Sequence, residues 1–401
     1  MSKPRNNQRV LSMPTEQSSI DKPMILINKP WIDEEEKREV INVLNDSALT
    51  SAAKDGGKRV REFESLLKGY LNVKHAMAVN SGTSALHAAL LAANIGEGDE
   101  VLLPSFTFVA TANSVIAAGA KPVFVDVNKH DYTVDIPDLK AKITKNSKAI
   151  IPVHLYGHPS DMAEIVELAE KFSIDVIEDA CQSLGSKYKN KQTGTFGILG
   201  CFSLYASKVL TSGEGGAVVT NDDSLAEKIK MIRNHGMVEG YDTRIFGLNL
   251  RLPEVSAAIA KVQMNRLERM LDLRRRNAEL LTTLVSSVAN DNGIVLPKET
   301  QDKKLNWYLY TIAFKKDNLR DMVQKKMVKD RVGATVYYDP PVHKTPYYEK
   351  ILASTEISSQ SSSRDLSNTD WASKHVLSLP THPLVTQEEV ERVAQSIKSA
   401  I

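Results

Sequence analysis

Apolar positions follow two rhythms in turn along most of the chain. "DEEEKREVINVLND" and "VREFESLLKGYL" repeat at the spacing of an amphipathic helix. In the first, Val40, Ile41 and Leu44 are expected on one side, with acids in the first turn; in the second, Val60, Phe63, Leu66, Leu67 and Tyr70. Short continuous apolar runs then alternate with helical stretches: "HAMAV", "EVLLP", "KPVFVDV", "KAIIPVHLYG", "DVIEDA", "GCFSLYA" and "EGGAVVTND". Such strands, each followed by a helix, predict an α/β fold with a mostly parallel central sheet and helices on both faces.

From Pro253 the rhythm changes. "PEVSAAIAKVQMNRLERMLDLRRRNAELLTTLVSSV" reads as one long helical pattern, broken at most once. After it, "NWYLYTIAF" and "GATVYYDPPVH" read as strands, and "TQEEVERVAQSIKSAI" as a helix capped by Thr386. A smaller α+β C-terminal domain is expected. The division is a loose arm over 1–25, a large domain over 26–270 and a small domain over 271–401. The Ser-rich stretch from Ser354 to Asp370 reads as a flexible excursion.

Composition narrows the function classes. The chain has 401 residues, 42% of them apolar and 25% charged, with a net charge of +2. No excess of positive charge favours a nucleic-acid partner. No apolar run approaches the roughly 18 residues a membrane helix needs. The two cysteines, Cys181 and Cys201, provide neither a disulfide framework nor a metal pair and read as small buried residues. A reducing cytoplasm is the expected compartment.

Four motifs carry chemistry. In "NSGTSALHAAL", Ser81, Gly82, Thr83 and Ser84 open a helix, where free N–H groups and hydroxyls can hold an anion. "PSFTFVATAN" offers Phe106 and Phe108, one a candidate to stack on a flat ring and the other to pack in the core. "DVIEDACQS" places Glu178 and Asp179 at a strand's carboxyl end, where open α/β sheets bind ligands. "CFSLYASKVLTSGEGGAVVT" frames Lys208 between apolar runs, with Ser203 before it and Gly213, Gly215 and Gly216 after it. Anion cradle, aromatic platform, acid and framed lysine are what pyridoxal phosphate requires: phosphate binding, ring stacking, a partner for the ring nitrogen and an amine for its aldehyde.

At these residues the sequence resembles the DegT/DnrJ/EryC1/StrS sugar aminotransferases, within the fold type I pyridoxal phosphate enzymes. The likeness runs from Asn28 to the C-terminus and includes "RNHGM" and "GLNLRLPEVSAAI". The resemblance implies that Lys208 is the Schiff-base lysine and Asp179 the partner of the ring nitrogen. It sets Gln182 beside the ring hydroxyl, Phe108 on the ring, and Thr83, Ser84 and Ser203 on the phosphate. It sends Asn249 to the phosphate of the neighbouring subunit, which implies a homodimer with shared sites, and gives Arg251 to substrate or interface. It also implies L-glutamate as donor, an amine form of the cofactor during turnover, and a nucleotide-diphosphate keto sugar as acceptor.

Lysine at 208, rather than the histidine of the related dehydratases, favours transamination. A dehydratase, or a regulatory protein retaining the fold, is the rival reading. "LTSAAKDGGKRV" departs from the short turn of the family and leaves the sugar open. His154, His158, His235 and His343 are candidates for substrate contact, and Arg233, Arg244 and Arg251 for a diphosphate.

Overall fold

The computed structural model describes residues 23–354 and 365–401. The expected loose arm lies almost wholly outside the described residues, as does most of the Ser-rich stretch. At the edge of the arm, Ile25 is buried and pairs with Val332. At the end of the Ser-rich stretch, Ser367–Asp370 form the first turn of a helix, Ser367–His375, instead of a flexible excursion.

Seven strands form the central sheet: β1 (His75–Val79), β2 (Glu100–Pro104), β3 (Lys121–Val125), β4 (Ser147–Ile150), β5 (Asp175–Asp179), β6 (Leu199–Ser203) and β7 (Gly216–Thr220). Their spatial order is β1-β7-β6-β5-β4-β2-β3. Only β7 runs against the others; it pairs antiparallel with β1 and β6, and the remaining pairs are parallel. The carboxyl ends of β1, β2, β5 and β6 therefore share one edge with the amino end of β7. The strands are buried on both sides, which is why they read as unbroken apolar runs.

The long helical pattern breaks at Arg266 into Glu254–Asn265 and Leu267–Asn292. The second helix packs Leu267, Met270 and Leu271 into one core and Ala278, Leu281, Val285 and Ala289 into another. That other core lies against a three-stranded antiparallel sheet, in the order Ile294–Val295, Tyr310–Phe314, Val376–Leu379, and includes the capped helix Gln387–Lys398.

Two local expectations are corrected. "GATVYYDPPVH" is not a strand: beyond one bridge at Thr335 it folds into turns and a short helix, Val342–Lys344. The first helix, Glu34–Asn45, buries Glu36 and Val43, whereas Ile41 and Leu44 are each 54% exposed. Glu36 goes inward because it has partners there. It accepts from the Asp33 N–H, completing a capping box, and meets Gln263 and Arg266.

Candidate active site

The shared sheet edge gathers the four sequence motifs. After β1, Ser81 caps the helix Gly82–Ala92 by accepting from the Ser84 N–H at 3.0 Å. The Ser84 hydroxyl donates to Asn80 Oδ1 at 2.6 Å and is thereby turned toward the helix start. The Thr83 residue is exposed, and its hydroxyl has no protein partner among the described residues. Ser203, at the end of β6, accepts weakly from the Tyr205 N–H at 3.3 Å, which leaves its own proton free to donate. Gly82 fits only as glycine: a Cβ there would stand 2.8 Å from Ser203 Cβ and 2.9 Å from Cys181 Sγ. The cradle, Ser203 and Cys181 are therefore in direct contact.

Consecutive strand residues point to opposite faces, and this separates the two acids ending β5. Glu178 is fully buried and accepts from the backbone N–H groups of Gly194, Phe196 and Gly197 at 2.7, 2.5 and 2.8 Å. His154 joins it at 3.0 Å through Nε2. Because His154 Nδ1 accepts from the Ser160 N–H, the ring proton sits on Nε2 and donates to Glu178. Asp179 turns the other way. It is 5% exposed, accepts from the Thr111 hydroxyl at 2.8 Å and from the Cys181 N–H at 3.1 Å, and has no Lys, Arg or His ion-pair partner among the described residues.

Lys208 is partly exposed and forms no ion pair or hydrogen bond through its amine among the described residues; that amine lies over the Tyr308 ring. Cys181 lies within electrostatic reach of both the Asp179 carboxylate and the Lys208 ammonium. Burial pushes its thiol well above the ordinary range, so it stays neutral and acts as packing. Phe106 is fully buried, edge-on to Tyr132, Tyr156 and Tyr338, whereas Phe108 is 54% exposed and has Tyr338 at its flank. Gln182 accepts from the Tyr156 N–H at 2.8 Å, and its amide faces the Tyr338 hydroxyl at 3.4 Å.

The remaining candidates divide by burial. Asn249 is exposed, and its carbonyl accepts from Asn80 Nδ2 at 3.2 Å beside the cradle. Arg251 donates to Asn234 Oδ1 at 2.7 Å. Arg233 is not free for a diphosphate: it is 2% exposed and spends its fork on Glu64 and the carbonyls of Ala78 and Lys54. Arg244 is exposed and paired with Asp242. His154 and His158 are tied to Glu178 and to Asp131, and His343 to Ser105 at 2.7 Å, so these three rings hold the fold together. His235 is exposed. The sequence reading missed Thr111, Tyr156, Tyr308 and Tyr338. Thr111 has a weak local signal, one helical turn beyond Phe108; the tyrosines come from distant segments.

The profile of the DegT/DnrJ/EryC1/StrS aminotransferase family matches residues 30–398. The chain belongs to that family. Among its relatives, a GDP-perosamine synthase from Caulobacter vibrioides is 34% identical over 388 residues, covering 95% of this chain and 99% of its own. A pleiotropic regulatory protein from Geobacillus stearothermophilus is 36% identical over 377 residues, covering 92% and 98%. The crystal structure of S. venezuelae DesV in complex with a ketimine intermediate superposes with a TM-score of 0.84 at 31% identity, covering 94% of this chain and 98% of its own.

Pyridoxal phosphate is the cofactor of this chemistry, and the residues present fit it. A buried carboxylate lacking a cation suits a ring N–H. The open face of Phe108 suits a flat ring. The helix start with Thr83 and Ser203 suits a phosphate, and an amine without an anion suits an aldehyde.

Proposed function

We propose that this protein transfers an amino group from L-glutamate to the keto carbon of a nucleotide-diphosphate sugar, working as a homodimer in the cytoplasm. One observation carries the reading. At one sheet edge stand a buried carboxylate without a cation, Asp179, bonded to the Cys181 N–H, and an amine without an anion, Lys208, within electrostatic reach of the same cysteine. A buried carboxylate elsewhere in a protein ordinarily has a cation beside it; Asp179, left without one near a free amine, supports a cationic ring between them.

Bound pyridoxal phosphate supplies an electron sink for the pair left on the substrate carbon when its proton is removed. Asp179, held in place by Thr111, would accept a hydrogen bond from the ring nitrogen and keep that nitrogen protonated. Lys208 would hold the aldehyde through Nζ and, as the free amine, would serve as base toward the donor's carbon in one half-reaction and as acid toward the sugar's carbon in the other. Gln182 would face the ring hydroxyl, Phe108 would cover one ring face, and Thr83, Ser84, Ser203 and the helix start would hold the phosphate. Asn249 reaches the site of the second subunit; the exposure of Asn249 and of Phe246 and Tyr241 nearby supports that role. A division between 270 and 271 falls near the point where Leu267–Asn292 passes from one core to the other, Leu271 still packing in the first, and a cytoplasmic location agrees with the two free thiols. The GDP-perosamine synthase relative supports a nucleotide sugar as acceptor.

The test is direct. Purified protein given pyridoxal phosphate develops the absorbance of lysine-bound cofactor, and with glutamate plus a panel of keto sugar nucleotides it releases 2-oxoglutarate. Lys208→Ala loses both signals. A Lys208→Ala protein with native turnover, or a native protein that yields no 2-oxoglutarate with any member of the panel, overturns the reading. Loss of water from the sugar without amination would assign the dehydratase reaction instead.

A further inference from the structure

Lys208 has a neighbour that no motif announced. Its Nζ lies 4.7 Å from the centroid of the Tyr308 ring, within cation–π range. Among the described residues the amine has no hydrogen-bond or ion-pair partner that competes with this ring. Tyr308 comes from the segment between Lys303–Lys304 and Tyr310–Phe314, far from Lys208 in sequence.

The ring is held with unusual care. Its hydroxyl meets Ser207 Oγ at 3.2 Å, next to the lysine itself. Its N–H donates to Asn306 Oδ1 at 2.9 Å. The carbonyls of Trp307 and Tyr308 accept from Arg274 at 3.3 and 3.2 Å. Arg274 is 2% exposed and has no carboxylate partner among the described residues; burial pulls its guanidinium down to about 10. A buried cation is thus committed to two carbonyls. Trp307 itself adopts a left-handed backbone at φ 53°, which a bulky residue takes up only where its surroundings impose it. Strain and an unpaired buried charge together fix one aromatic face above one amine.

We infer that Tyr308 is a positioning residue whose ring face docks the Lys208 ammonium whenever that amine is not bonded to the cofactor. This rests on the proposed reaction, in which the lysine is released and must later return to the same carbon. A long side chain freed into the site loses its aim to rotamer freedom. A ring face holds a cation without the tight ion pair that a carboxylate would make, so the amine stays in place and remains able to leave.

The test uses cofactor-free protein at one fixed pH. Lysines are acetylated with a limiting amine-reactive ester, and the Lys208 peptide is quantified by mass spectrometry against that of exposed Lys58. In Tyr308→Leu and Tyr308→Met, Lys208 is expected to label roughly three- to tenfold faster than in the native protein, whereas Tyr308→Phe stays within about twofold of it. Circular dichroism and an unchanged Lys58 rate establish that a variant is folded; using two aliphatic variants guards against one that is not. Native labelling rates in the folded aliphatic variants overturn the inference. So does a Phe variant as fast as Leu, which would assign the effect to the hydroxyl bond with Ser207. Failure of the proposed function is separately visible. Native protein given pyridoxal phosphate and then borohydride would carry no cofactor on Lys208, whatever the labelling rates.

Discussion

At the scale of single residues, the adjacent acids Glu178 and Asp179 divide structure from the proposed chemistry. The sequence sets both at the end of an apolar strand and cannot distinguish them further. The pleat does, sending Glu178 to four hydrogen-bond donors and Asp179 to the site. Two variants with opposite outcomes follow. Asp179→Asn is expected to cut turnover roughly 10²–10³-fold, the scale of losing one preorganised electrostatic partner, with little change in the urea midpoint. Glu178→Gln is expected to lower stability by about 3 kcal/mol, as when a buried charged network loses a member, with turnover per folded molecule nearly retained. Steady-state kinetics beside urea titration reads both. A catalytic collapse in Glu178→Gln without loss of stability would reverse the assignment.

At the scale of elements, one helix is capped from far along the chain. Lys58–Leu71 begins at Gly57, which offers no side-chain cap. Glu254, in the first turn of Glu254–Asn265, supplies it by accepting from the N–H groups of Arg59 and Val60 at 2.7 and 3.3 Å. The carboxylate sits so close that a Cβ at position 57 would fall 2.3 Å from Glu254 Oε1, which accounts for the glycine. Glu254→Ala strands two buried donors and is expected to cost on the order of 2–4 kcal/mol, read as a lower denaturant midpoint. A loss below about 0.5 kcal/mol, the range of ordinary surface substitutions, would show that solvent replaces the cap. Periodicity reads which stretches are helical; it does not read this cap, nor that Glu36 rather than Ile41 faces inward. Both depend on partners some two hundred residues away, at Glu254, Gln263 and Arg266. The misread strand around Tyr337 has the same origin. Its β-branched and aromatic residues suit a strand, but the turn they form is fixed from outside. The Tyr156 hydroxyl donates to the Tyr337 carbonyl, and the Val342 N–H donates to Ser105.

At the scale of the whole molecule, stability and activity each carry a signature. His382 is buried beside Arg274 and donates from Nε2 to the Leu26 carbonyl at 3.2 Å. Burial, with Arg274 adding to it, pulls the ring down from 6.5 to about 4. The unfolded chain therefore binds a proton that the folded one refuses. This contribution is full above pH 6.5 and is lost as pH falls toward about 4, up to ~3 kcal/mol. His382→Gln is expected to flatten the fall in melting temperature between pH 7 and pH 4.5; an unchanged slope would assign the acid sensitivity elsewhere. For activity, the proposed shared sites predict complementation. Lys208→Ala and Asn249→Ala, each impaired alone, should together recover about a quarter of native activity in a statistical subunit mixture, because half the dimers then hold one intact site of two. No recovery, despite subunit exchange, would place Asn249 in its own subunit's site.

The sequence by itself determined the mostly parallel sheet, the order of the cradle, platform, acid and lysine, and the capped last helix. Each of these is written in neighbouring residues, through strand runs, turn glycines and a cap with its partner three positions on. Only the tertiary structure decided that Thr111 steadies Asp179, that Tyr308 faces Lys208, that Glu254 caps a distant helix and that Arg233 is spent on Glu64. Those are contacts between segments far apart along the chain. Hydrogen bonds and ring contacts act over a few ångströms of space, and separation in sequence sets no such distance until the chain has folded.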